Sequence, residues 1–223
     1  MEQLVLDIHL DAPPDFSNFV IGENGALIEA LNLAVQGEGH IYLWGEAASG
    51  RSHLLHAAVA LSQSAGRPAC YLESEAIGDS LPDTSALLIA LDDVHRLPAA
   101  AQIALFNAFN RARALNQTLL LTGDRAPREL DLREDARTRI GQCLVFEVKP
   151  LDDASRAAIL AMLAERRGLR LADEVIAFIL RHGRRDLPSL ASLIDALDHA
   201  SLERKRPITL PLLRTLMQTG LAL

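Results

Sequence analysis

Positive charge, lysine, cysteine and long apolar runs are all scarce in this chain, and each shortage excludes something. The formal net charge is −7, which argues against binding nucleic acid non-specifically over the whole surface. Of the basic residues only Lys149 and Lys205 are lysine; the rest are arginine. Two cysteines, Cys70 and Cys143, stand in apolar, strand-like runs and read as small core residues, not as a disulfide or metal pair. The seven histidines show no ligand spacing. No apolar run reaches the ~18 residues of a membrane span, and the opening does not read as a secretory signal. The expectation is a cytoplasmic, soluble protein with no membrane association.

What is abundant is apolar sequence: 49% of 223 residues, enough for one large domain or a core domain with a small appendage. The chain is organised around G-E-A-A-S-G-R-S, Gly45 to Ser52. The apolar run Ile41–Trp44 ahead of it reads as a buried strand, and Leu54, Leu55, Ala58 and Leu61 behind it read as one face of a helix. Strand, glycine-rich turn and helix N-terminus form a phosphate cradle, because backbone N–H groups of turn and helix face one point. The predicted cradle comprises Gly45, Ala48, Ser49, Gly50, Arg51, Ser52 and His53. It follows the P-loop pattern with arginine in place of lysine at 51. Lysine is a compact point charge and arginine a wide planar fork, so nucleotide binding should survive the exchange while geometry for hydrolysis suffers. Ser52 would place its hydroxyl on Mg2+.

The first residues alternate apolar and polar side chains at Leu4, Leu6, Ile8 and Leu10, then meet Asp11-Ala12-Pro13-Pro14-Asp15, which continues neither strand nor helix. An edge strand and a tethered recognition peptide both fit that pattern. Phe19 and Val20, shortly ahead of a helix at 26–35, suit the wall of an adenine pocket or ordinary core. A second strand spans 67–73. The apolar run 86–91 ends in Asp92-Asp93, as a buried parallel strand would. Behind a P-loop, Asp92 is expected to reach the metal and Asp93 to orient the attacking water. A helix spans 99–115 with Ile103, Phe106, Phe109 and Ala112 on one face. A fourth strand from Leu119 ends in Thr122-Gly123-Asp124; Thr122 or Asp124 nears a γ-phosphate if this strand lies between the P-loop strand and the Asp92 strand. A fifth strand spans 143–148. From Leu151 the texture is helical only, at 154–166, 173–182, 189–203 and 209–217, with Asp173 as an N-cap. The organisation is thus 1–15, a peptide and joint; 16–150, an α/β nucleotide-binding domain; and 151–223, an all-helical lid.

A P-loop, paired acids, a polar-tipped fourth strand, a late arginine and a helical lid together resemble the AAA+ family. F-S-N-F-V-I-G-E-N, L-L-I-A-L-D-D-V and L-L-L-T-G-D-R-A-P-R-E-L resemble the ATPase domain of the replication initiator DnaA. The chain stops where DnaA would continue into a DNA-binding domain, and it instead resembles the Hda family of DnaA-related regulators, I-Y-L-W-G-E-A-A-S-G-R-S-H-L-L-H-A-A included. The resemblance implies an AAA+ parallel-sheet core with a helical lid, ADP (or ATP) with Mg2+, and little ATPase activity of its own. It implies that Gln3, Leu4, Leu6 and Ile8 form a Q-L-x-L peptide for the β sliding clamp of DNA polymerase III. It implies an arginine finger, matched by Arg139 with Arg137 as the nearby rival, acting on ATP held by DnaA. DNA is then reached only through the clamp, and a homo-oligomer is compatible. The lid position that usually presents a sensor arginine is Pro188 here, so Arg184 or, by choice, Arg185 would contact phosphate. The rival expectations are a free-standing AAA+ ATPase or helicase loader, which turns over ATP alone, and a DNA-binding initiator fragment, which the acidic balance disfavours.

Overall fold

The computed structural model describes residues 13–19, 21–182, 187–204 and 208–218. It divides into two compact units between Val148 and Lys149.

The first unit runs α1 (Gly25–Val35), β1 (Ile41–Trp44), α2 (Arg51–Ser64), β2 (Ala69–Glu73), β3 (Leu88–Asp92), α3 (Ala99–Leu115), β4 (Thr118–Gly123), α4 (Glu134–Ile140) and β5 (Leu144–Glu147). The strands form one parallel sheet in the order β2-β3-β4-β1-β5. Every residue of β3 and β4 is buried, which explains their unbroken apolar runs: parallel strands are covered on both faces. Successive side chains point to opposite faces. Ile41, Leu43, Leu88, Ala90 and Leu120 pack with α1 and α2, while Tyr42, Ile89, Leu91, Leu119 and Leu121 pack with α3 and Ile140.

The register aligns Trp44 with Gly123 and Leu91 with Leu121. The C-terminal ends of β1, β4 and β3 therefore lie side by side, with β4 between the other two. In an open parallel sheet this edge is where ligands bind.

One helix face differs from expectation. The buried stripe of α3 is Ala101, Ala104, Leu105, Ala108 and Ala112, and Ile103 is 45% exposed. Both stripes have helical period, but alanines let the helix lie close to the sheet. Phe106 and Phe109 flank the contact, half-buried.

Among the described residues the second unit is four helices: α5 (Asp153–Arg166), α6 (Asp173–His182), α7 (Leu187–Arg204) and α8 (Leu210–Gln218). Leu160, Val175, Ile179, Ile194, Leu197 and Leu213 form their own core. Asp152 caps α5, its carboxylate accepting from the Ser155 N–H at 2.7 Å. Asp173, expected as a cap, is instead the first residue inside α6, where its charge still faces the positive helix end. Among the described residues no helix is long and apolar enough to cross a membrane.

Candidate nucleotide-binding site

The turn after β1 tolerates almost no extra atoms. A Cβ on Gly45 would lie 2.9 Å from the Val148 carbonyl oxygen and 3.2 Å from Ser49 Oγ. Gly50 has φ +96°, and a Cβ there would lie 2.8 Å from a ring carbon of Phe19. Ala48 also takes a left-handed conformation, φ 60°. Alternation of hand along a turn swings successive N–H groups toward a common concavity, the arrangement that receives an anion. Ser49 Oγ is buried within this turn and has no hydrogen-bond partner. A buried hydroxyl without a partner, in a glycine cradle at a helix N-terminus, fits a phosphate group. Phe19 closes one side, its ring 5.8 Å from that of His53, whose Nε2 lies 3.1 Å from the Asp15 carbonyl oxygen.

At the tips of β3 and β4 a hydrogen-bonded cluster surrounds Asp92, which is 7% exposed. Thr122 donates its hydroxyl to Asp92 Oδ1, and Tyr71 donates to Oδ2 at 2.7 Å. Ser52, in the first turn of α2, is near enough to this carboxylate to help hold its pKa down. Burial pushes the Asp92 carboxyl upward, but the bonds from Ser52, Thr122 and Tyr71 outweigh it and hold the group below the usual carboxylate value. Asp93 adopts a left-handed conformation, φ 52°, and its N–H reaches Thr122 Oγ1 at 2.8 Å and Asp92 Oδ1 at 3.1 Å. Ser52 and Asp92 thus stand together where both would contact a metal. Among the described residues no three His, Cys, Asp or Glu side chains converge on one point. A phosphate-bound Mg2+ needs none, since water and phosphate complete its shell.

Arg51 crosses the site. Its Nη1 donates to the Gly123 carbonyl oxygen and its Nη2 lies 3.5 Å from Asp93 Oδ1. The Asp93 carboxylate also has His95 Nδ1 at 3.9 Å and Arg96 Nε at 3.9 Å. Asp124 pairs with Arg125 at 2.6 Å, a bond that holds its carboxyl below the usual range, and lies 3.8 Å from His95 Nδ1.

Gly45, Ala48, Ser49, Gly50, Arg51, Ser52, His53, Phe19, Asp92, Asp93 and Thr122 are all placed at this edge of the sheet. Val20, Arg184, Arg185, and the peptide residues Gln3, Leu4, Leu6 and Ile8 lie outside the described residues. Arg139 stands apart, on α4. Its guanidinium donates to Asn110 Oδ1 at 2.7 Å and Gln142 Oε1 at 3.4 Å, and lies 5.6 Å from the centre of the Phe106 ring. Arg139, Gln142 and Phe106 line a surface cleft together with Arg133, Glu134, Asp135 and Thr138.

Sequence reasoning missed both tyrosines. Tyr71 was legible only as a strand residue, yet it braces Asp92 and stacks on His56 at 3.9 Å between ring centres. Tyr42 passes under the tip of β4 and donates to the Arg125 carbonyl at 2.6 Å; its hydroxyl fills the space a Cβ on Gly123 would need.

Residues 153–217 match a family model described as Hda, lid domain. Domain III of the Thermotoga maritima replication initiation protein DnaA is similar over 96% of this chain and 99% of that one, with 20% identity and TM-score 0.77. AMPPCP-bound DnaA from Aquifex aeolicus is similar over 88% of this chain and 69% of that one, at 24% identity and TM-score 0.71. The Thermotoga maritima RuvB Holliday junction branch migration motor matches over 93% of this chain and 72% of that one, at 17% identity and TM-score 0.71. At such identities the structural likeness establishes the fold alone: a parallel-sheet α/β core followed by an all-helical unit, the unit that carries the lid-domain match.

Proposed function

We propose, for a chain of the Hda and DnaA clade with an Hda lid domain at residues 153–217, the role of a nucleotide-holding adaptor that switches off DnaA. In this reading the P-loop holds ADP, residues Gln3 to Ile8 bind the β sliding clamp, and Arg139 enters the nucleotide site of a DnaA–ATP neighbour. Ser52 and Asp92 would hold Mg2+, which supplies charge neutralisation at the phosphates.

The observation that carries the reading is the state of Arg139. Arg51, Arg96, Arg125, Arg133 and Arg156 each face a carboxylate of this chain. Arg139 is held by neutral groups, the amides of Asn110 and Gln142 and the face of Phe106. Among the described residues no carboxylate lies within ion-pair distance of it. Its side chain is oriented without a direct ion pair, although Glu134 and Asp135 line the same cleft, and an arginine so held is free to meet another molecule's phosphates. Arg137 has no comparable brace. An arginine supplied in trans contributes roughly 10³–10⁵ in rate by stabilising charge on the transferred phosphoryl group.

The test is hydrolysis of DnaA-bound ATP with DNA-loaded clamp present. The intact chain should accelerate it, and Arg139→Ala should return it to the unstimulated rate while still co-purifying with clamp. Gln3→Ala with Leu6→Ala should lose the clamp in a pull-down. Stimulation by Arg139→Ala equal to that of the parent removes Arg139 from this role. Brisk ATP turnover by the isolated chain, with DnaA unaffected, favours the free-standing ATPase instead.

A further inference from the structure

We propose that Tyr71 is a positioning residue of the cation site: its hydroxyl holds the Asp92 carboxylate in the orientation that leaves one oxygen open to a nucleotide-bound Mg2+. The inference rests on the reading of Ser52 and Asp92 as the metal-holding pair and adds to it a residue of the edge strand β2.

The case starts from a count of donors. A carboxylate offers about four lone-pair directions, two on each oxygen. Oδ1 of Asp92 receives the Thr122 hydroxyl and the Asp93 N–H, so both of its directions are taken. Oδ2 receives the Tyr71 hydroxyl at 2.7 Å. One direction on Oδ2 is left, for the Ser52 side chain close by in the first turn of α2 or for the cation and its water that both residues would share. The main chain beneath is fixed as well, since the Asp92 carbonyl accepts from Ser74 Oγ. What remains free to turn is the carboxylate itself, and Tyr71 is the donor that stops Oδ2 from swinging.

The tyrosine is held at both ends. In the sheet register Tyr71 pairs with Ala90, and Asp92 lies two residues further along β3. Alternation places Tyr71, Ala90 and Asp92 on the face that packs with α2, so the phenol reaches along that face to the carboxylate. Its ring lies on the ring of His56, 3.9 Å between centres and 22° from parallel. His56 stands one helical turn after Ser52 on α2. One face of that helix therefore carries both the hydroxyl beside Asp92 and the ring that packs Tyr71. Phenylalanine at 71 would keep the ring and its stacking and remove only the donor.

The experiment is calorimetric titration of the full chain with ADP, once with excess Mg2+ and once with EDTA. Tyr71→Phe, Asp92→Ala and the double variant are compared with the parent, and circular dichroism melting checks that each is folded. The loss of an outer partner costs a metal ligand about 10–100-fold in metal affinity, so a parent that gains at least about tenfold in ADP affinity from Mg2+ should keep no more than about threefold in Tyr71→Phe. In EDTA the affinity of Tyr71→Phe should stay that of the parent. The double variant should match Asp92→Ala in both titrations, because Tyr71 acts through that carboxylate. A Mg2+ gain retained by folded Tyr71→Phe, a loss of equal size with Mg2+ and with EDTA, or a further loss in the double variant overturns the positioning role and leaves the metal pair standing. A parent indifferent to Mg2+ overturns the metal reading and this inference with it.

Discussion

Replacing Arg67 with alanine should destabilise the first unit more than any other single change to a surface-reaching side chain. The guanidinium lies at the end of the sheet opposite the P-loop. It donates at 2.9 Å to the carbonyls of Ala34 and Val35 at the end of α1, to the carbonyl of Ala86 ahead of β3, and to the Thr118 hydroxyl at the start of β4. Three segments distant in sequence are thus tied to one planar group. Burial pulls the Arg67 pKa down, but a guanidinium stays charged at any pH the protein survives. A hydrogen bond from a charged donor contributes about 1.5–3 kcal/mol, and the four are not additive, because all are lost together. Two factors lower the cost: Ala34 O also accepts from the Gly37 N–H at 3.0 Å, and the half-buried site lets water reach the stranded carbonyls. The expected loss is about 2–4 kcal/mol, or a melting temperature lower by about 5–15 °C for a chain of this size. Urea denaturation followed by circular dichroism would read it, and an unchanged slope would show that the denatured state is the same. Arg67→Lys should recover less than half, since one nitrogen cannot reach three segments. A loss under about 1 kcal/mol for Arg67→Ala would refute the reasoning.

Two further outcomes follow from the site. Tyr71→Phe removes one of the donors on Asp92 and should cost about 1 kcal/mol near neutral pH. Asp92 sits below its ordinary 3.8 when folded, so its stabilisation is present above that pH and lost as pH falls through the lower folded value; thermal melts of parent and variant should therefore converge in acid, and a gap that widens there would contradict the assignment. Gly50→Ala must hold alanine at φ +96° with its methyl 2.8 Å from Phe19. It should cost about 1–2 kcal/mol in a thermal melt and weaken ADP in a calorimetric titration, whereas an unperturbed affinity would detach Gly50 from the cradle.

Local pattern carried much of this protein. The apolar runs of β1, β3 and β4 are unbroken because both faces of the sheet are covered, so strand positions and the acid after β3 could be read from the residues. The cradle's glycines could be read because turn chemistry is local. What escaped depends on which strands are neighbours. Arg51 meets Asp93 and Gly123 only because β4 lies between β1 and β3. Tyr42 and Tyr71 looked like ordinary strand residues, since their hydroxyl partners lie far along the chain. Arg67 looked like one arginine among many for the same reason. On α3 the phase was misread because large apolar side chains drew attention, while the contact is made by alanines. The clamp peptide and the lid arginines remain propositions from resemblance, outside the described residues.

The chain has one tryptophan, and it is Trp44, the last residue of β1 and the one immediately before Gly45. Its indole is half-buried against the sheet's α3 face, abreast of Gly123 and Glu147. The lid contributes no indole, so emission excited at wavelengths that tyrosine does not absorb comes from a single fluorophore beside the cradle. Occupancy of the cradle can therefore be followed by light alone, with no label, in every variant that keeps residue 44.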